Sequence, residues 1–177
     1  MPIETLKYTS TVLSNFSNIE RVENDDDSKA LGELNDNFII ELNNLTSNIA
    51  SINSVQVKVG GNCTLGAAVA VFAVEILDEN NNVTFSAENE FFGVGTTEEV
   101  ETGTVRTTDG ARAWTEETVN AIRLKGTFSA RSANTDLEID YIHLLVDYEA
   151  IPPTAGLIKL TSGLVTLNSG IIKIIGT

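Results

Sequence analysis

From Phe38 onward the chain reads as short apolar alternations separated by Gly, Asn, Asp and Ser, the pattern of strands joined by turns. Phe38, Ile40 and Leu42 alternate with Ile39 and Glu41. Val55, Val57 and Val59 alternate with Gln56 and Lys58 until Gly60-Gly61-Asn62 breaks the run. The stretch from Val69 to Leu77 is apolar on both sides, which predicts a strand covered on both faces. Asn80-Asn81-Asn82 predicts a turn, after which Val83 and Phe85 start again. Ile122, Leu124, Gly126 and Phe128 alternate with Arg123, Lys125 and Thr127. Ile142, Leu144, Val146 and Tyr148 predict the inward face of a last long strand, with Tyr141, His143 and Asp147 on its other face. Helix is expected only as a turn or two over residues 33–43 and 115–121, where Asn and Thr lower the propensity. Many short strands with almost no helix predict an all-β, antiparallel sandwich or barrel whose apolar rows supply the core.

Ala150-Ile151-Pro152-Pro153-Thr154 interrupts this pattern, because two consecutive prolines offer no ladder donors and favour an extended spacer. The expected organisation is a β-sandwich domain over residues 1–150, a Pro-containing linker over 151–155 and a tail over 156–177. The tail repeats every seven residues: Gly156-Leu-Ile-Lys-Leu-Thr-Ser, Gly163-Leu-Val-Thr-Leu-Asn-Ser, Gly170-Ile-Ile-Lys-Ile-Ile-Gly. Glycine in every repeat and β-branched neighbours oppose a coiled coil and fit short strands reset at Ser-Gly turns. Leu157, Ile158, Leu160, Leu164, Val165, Leu167, Ile171, Ile172, Ile174 and Ile175 stand there with only Lys159 and Lys173 as charges. So apolar a strand segment needs a covering surface. The expectation is subunit or partner contact, with a homotrimer favoured because a ring of copies leaves no strand edge free.

Composition narrows the function. The 177 residues are 42% hydrophobic, which opposes general disorder, and carry a formal net charge of −14, which opposes a nucleic-acid partner. No apolar run reaches the ~20 residues of a membrane helix. The opening Met1-Pro2-Ile3-Glu4 lacks the basic-then-apolar pattern of a secretory signal, so the Asn-x-Ser/Thr sites at Asn15, Asn44, Asn62 and Asn82 are expected to be incidental. Cys63 is the single cysteine, excluding an internal disulfide and a cysteine zinc cage.

Candidate chemistry is sparse. Asp25-Asp26-Asp27 is the one cluster of hard oxygen ligands, and Asn24, Asp25 and Asp27 are the candidate calcium ligands. A solvated acidic loop explains the same run. Trp114 with Tyr141 is the candidate aromatic platform for a sugar, against the simpler reading of Trp114 as a buried cap of the sandwich. His143 has Asp140, Tyr141 and Asp147 nearby but no serine or cysteine placed as a nucleophile. Glu116-Glu117 would point apart on a strand, a poor acid–base couple. No catalytic, phosphate-binding or zinc-protease motif is present, so no enzyme and no organic cofactor is expected.

Four spaced landmarks resemble jelly-roll modules of the galactose-binding-like kind found in tailed-phage virion proteins. Ser14-Asn-Phe-Ser-Asn-Ile-Glu-Arg-Val-Glu-Asn-Asp-Asp-Asp-Ser-Lys-Ala30 is similar to their opening. Ile52-Asn-Ser-Val-Gln-Val-Lys-Val59 is similar to an early strand, with Ser54 where glycine is usual. Ala113-Trp114-Thr115 followed by Val119-Asn-Ala-Ile-Arg-Leu124 resembles a tryptophan turn leading into a strand, and Leu137 to Tyr148 resembles the closing strand. The resemblance implies a jelly-roll β-sandwich, a structural calcium near the acidic run, and a virion location after synthesis in the host cytoplasm. It further implies a structural role such as head decoration or head fibre, with other virion proteins as partners. The alternative it leaves open is a carbohydrate-binding adhesin module of a phage tail or bacterial surface, with a host glycan as partner.

Overall fold

The computed structural model describes residues 2–24, 28–65, 68–92 and 99–152, and the side chains of all of these except 87–92. The candidate calcium ligands Asp25 and Asp27 lie outside the described residues. So do the tail contacts Leu157, Ile158, Leu160, Leu164, Val165, Leu167, Ile171, Ile172, Ile174 and Ile175.

The strands are β1 (Ile3–Leu6), β2 (Tyr8–Ser14), β3 (Ala30–Gly32), β4 (Asn37–Leu42), β5 (Ile49–Cys63), β6 (Ala70–Leu77), β7 (Val83–Phe92), β8 (Glu99–Thr102), β9 (Arg123–Arg131) and β10 (Leu137–Ala150). Two antiparallel sheets pack as a jelly-roll β-sandwich. One has the order β1-β10-β5-β8, with β3 also paired to β10, and the other runs β2-β4-β9-β6-β7. β1 and β3 lie end to end along one edge of β10: Leu6 faces Leu144, while Ala30 faces Ile139.

The core follows the alternation. Val55, Val57, Val59, Ile122, Leu124, Phe128, Ile142, Leu144 and Val146 are all buried between the sheets. Residues 37–42 form β4, as the alternation of Phe38, Ile40 and Leu42 predicts, and not the weak helical turn also considered over 33–43, since only a period of two buries those three side chains together. The second expected turn is present as α1 (Glu116–Asn120), begun by a capping box between Thr115 and Thr118.

At the centre, Phe16, Phe38 and Phe72 form an aromatic cluster, with Phe16 edge-on to Phe38 at 5.1 Å. Gly126 pairs directly with Phe38, and a Cβ there would lie closer than 3.0 Å to ring carbons of both Phe72 and Phe38. The glycine is what lets two rings cross β9.

Register irregularities re-aim side chains within the long strands. Ile139 faces Gly61 and Tyr141 faces Gly60, leaving Asp140 as the extra residue of a bulge. The inward set therefore passes from Leu137 and Ile139 to Ile142, Leu144 and Val146. A second irregularity leaves Asn53 as the extra residue of β5, so Ile52 and Val55 are both buried.

Candidate functional site

The acidic run is entered from a 3-10 turn, Ile19–Glu23, laid on the outer face of β10. Its apolar residues Ile19 and Val22 are buried, and it is preceded by Asn18 in the left-handed region at φ 57°, which Asn tolerates. Glu23 offers its carbonyl to His143 Nε2 at 2.9 Å; a carbonyl only accepts, so Nε2 carries the proton. The His143 ring stacks on Tyr141 at 4.8 Å, and Lys58, directly opposite His143 on β5, places its ammonium 5.0 Å from the Tyr141 ring. Asn24 accepts a hydrogen bond from Lys7 Nζ at 2.9 Å, so as a calcium ligand it would have to exchange an ammonium partner for the ion. Beyond the run, Lys29 donates to Asn62 Oδ1 at 2.5 Å, and Asn62 donates to Glu138 Oε2 at 2.8 Å. Asn62 is 2% exposed, which removes it as a glycan acceptor in the folded chain. Among the described residues, no group of three His, Cys, Asp or Glu side chains is placed to hold a metal.

The candidate sugar platform is not formed. Trp114 is 5% exposed and Tyr141 1%. Trp114 donates from Nε1 to the Arg106 carbonyl at 2.9 Å and packs on Phe85 at 6.0 Å. The Arg106 guanidinium lies over the same Phe85 ring at 4.7 Å, while its backbone bridges to Val55 of the facing sheet. Trp114 thus anchors a strap that joins the two sheets. The sequence places Phe85 on a strand but does not show its contact with Trp114, and Arg106, eight residues before Trp114, belongs to no motif. His143 likewise has a positional role, tying the 3-10 turn to β10. Cys63 is fully buried, and burial first of all pushes its thiol pKa up.

The outer face of the β2-β4-β9-β6-β7 sheet carries rows of paired charges. Glu41 faces Arg123 at 2.6 Å, and Lys125 faces Glu75 at 2.5 Å. Ser10 also donates to Glu41 at 2.7 Å; that hydroxyl, and then Arg123, hold the Glu41 carboxyl below its ordinary range. Arg123 reaches on to the Glu79 carbonyl at 2.6 Å and Asn81 Oδ1 at 3.0 Å, pinning the expected Asn80–Asn82 turn. A shallow depression of about 250 Å³ lies here, lined by Thr9, Glu41, Asn44, Glu79, Asn120 and Arg123 with small apolar neighbours. No aromatic side chain lines it.

No protein-family model matches the sequence, and no curated protein matches it. Among solved structures, the CBM36-1 domain of a multidomain xylanase from the hindgut metagenome of Trinervitermes trinervoides is similar over 85% of this chain and 100% of its own, at 12% identity and a TM-score of 0.47. A carbohydrate-binding module CBM36 in complex with calcium and xylotriose is similar over 83% of this chain and 100% of its own, at 10% identity and a TM-score of 0.39. The enzymatically active domain of bacteriophage CBA120 tailspike protein 4 is similar over 85% of this chain and 19% of that one, at 10% identity and a TM-score of 0.32. At these scores none carries an argument about what this chain binds. No helix among the described residues is long and apolar enough to cross a membrane.

Proposed function

We propose that the protein is a non-enzymatic structural component of a phage virion, such as a head decoration or head fibre, that acts by protein–protein contact through residues 156–177. One contrast carries this. Residues 3–150 supply every strand of the two sheets described above, and the segment that follows holds ten aliphatic residues in seven-residue repeats with only Lys159 and Lys173 as charges. Such a composition stays soluble when its apolar rows are covered by another subunit. Virion placement draws its support from the landmark residues at Asn15-Phe16, Ile52–Val59, Trp114 and Leu137–Tyr148. Light scattering of the full chain and of a form ending at Ile151 tests the assembly: a trimer that becomes a monomer on truncation is expected. A monomeric full chain, or an oligomer indifferent to truncation, overturns it. Mass spectrometry of purified particles tests the location, and absence of the protein from them overturns it.

The adhesin reading has one observation in its favour, the depression at Glu41 and Arg123, whose carboxylate, amide, hydroxyl and guanidinium groups suit sugar hydroxyls. It ranks second because those groups already bond one another and the candidate platform is buried. Binding of the full chain on a glycan array, lost in Arg123→Ala, would reverse the order.

Calcium held by Asn24, Asp25 and Asp27 belongs to this proposal as a structural ion. Its support is the hard-oxygen composition of the run.

A further inference from the structure

We propose that the exposed edge of β2, at Val12 and Leu13, receives residues 156–177 of a second copy of this chain, which add to the sheet as a further strand. The inference rests on the assembly role given to the tail and names the surface that accepts it.

β2 ends the sheet order β2-β4-β9-β6-β7, so one side of its backbone has no strand beside it among the described residues. Its register against β4 shifts between Thr11 and Leu13, leaving Val12 as the extra residue. The result is two adjacent apolar side chains facing solvent, Val12 at 43% and Leu13 at 50% exposure. Natural edges are guarded by charge or proline. Tyr8–Ser14 contains neither. The other edges differ: β8 is four residues with Glu99 and Glu101, β1 is four residues, β3 is three, and β7 comes up beside β8.

The occupant follows from what leaves the sandwich and where. All 25 acidic residues precede Pro153, whereas the tail has Lys159, Lys173 and no acid. The tail is therefore the basic, apolar, strand-prone segment of a chain whose body is strongly acidic. β10 delivers it at the end of the sandwich where Tyr148 N bonds the Pro2 carbonyl and Ile151 N bonds the Asn48 carbonyl. Leu13 and Ser14 lead instead to Ser17, which bridges Leu31, opposite Glu138 at the other end of β10. At ~3.3 Å per residue these ends are about 40 Å apart. Residues 151–152 thus stand at the end of the sandwich remote from Val12–Leu13, and the proposal places residues 156–177 on that edge of a neighbour, as in strand addition generally.

The test uses full-length protein, with solution mass by light scattering and amide hydrogen exchange of residues 8–14. Two double variants are made, Val12→Lys with Leu13→Lys, and Leu160→Lys with Leu167→Lys. The wild type is expected to be oligomeric with slow exchange in β2; each variant falls to the single-chain mass with faster exchange there. Mixed together, the two variants regain association as a two-chain species, because one keeps a usable tail and the other a usable edge. An oligomer that survives the β2 substitutions but not the tail substitutions overturns this docking surface and leaves the assembly role standing. An oligomer indifferent to the tail substitutions overturns both. A monomeric wild type whose β2 protection is lost in the tail variant shows the tail docking on its own sandwich, which overturns the second copy as occupant.

Discussion

Glu41 on β4 and Arg123 on β9 stand directly opposite each other, with Arg123 Nη2 2.6 Å from Glu41 Oε1. The same guanidinium holds the β6–β7 turn through Glu79 and Asn81, and the same carboxylate holds β2 through Ser10. One charge pair therefore ties β2, β4, β9 and the turn after β6 into a single outer surface.

This pair gives a pH dependence. The Glu41 carboxyl is held below the ordinary value of 4.5, so its contribution is fully present above that pH and is lost as pH falls through the lowered folded-state value. Glu41 keeps a side-chain exposure of 42%, which limits the effect to roughly 0.5–1 kcal/mol. Glu41→Gln should therefore melt earlier than wild type at pH 7, and the two curves should converge below pH 4.5. Equal melting temperatures at pH 7 would show that the pair is energetically idle.

Core packing yields a larger effect. Leu144 is fully buried, and Leu144→Ala should cost about 2–5 kcal/mol in urea unfolding. Gly126→Ala should cost about 1–3 kcal/mol by the opposite route, forcing a methyl between Phe38 and Phe72. A Gly126→Ala protein as stable as wild type would mean that the rings can part without penalty.

The strap at Trp114 separates structure from sugar binding. Trp114→Ala should lower stability by about 3–5 kcal/mol while leaving any glycan binding of the folded protein unchanged. Loss of glycan binding at undiminished stability would restore Trp114 as a platform.

Calcium acts by linkage. Excess calcium should raise the melting temperature of the wild type and leave the Asp25→Ala, Asp27→Ala double variant unmoved. A wild type equally indifferent to calcium and to a chelator would reduce residues 25–27 to a solvated acidic loop.

The sequence disclosed the strands whose burial is governed by alternation alone. Val55–Val59 and Ile142–Val146 could be placed because each apolar residue faces the same way as the residue two before it. It did not disclose β2, because Tyr8–Ser14 is an edge built largely of Thr and Ser with irregular register, so no alternation survives. Nor did it show that Tyr141 and His143 would be buried on the outward side of β10. Their cover, the turn Ile19–Glu23, lies more than a hundred residues earlier and meets them only through the tertiary fold. Asp140 was unreadable for a related reason, since a bulge shifts the phase of a strand without leaving a mark in its composition.

The place of β10 has a consequence for synthesis on the ribosome. This strand sits between β5 on one side and β1 and β3 on the other, so three segments made early wait for one made late. Until residue 150 has left the exit tunnel, β1 and β3 lack the strand that holds them, and the long β5 lacks its principal neighbour. A stalled or truncated nascent chain therefore presents an open β-edge to every other copy on the same message. All but four of the acidic residues, Glu138, Asp140, Asp147 and Glu149, precede β10, so such half-made chains already carry most of the charge that drives them apart.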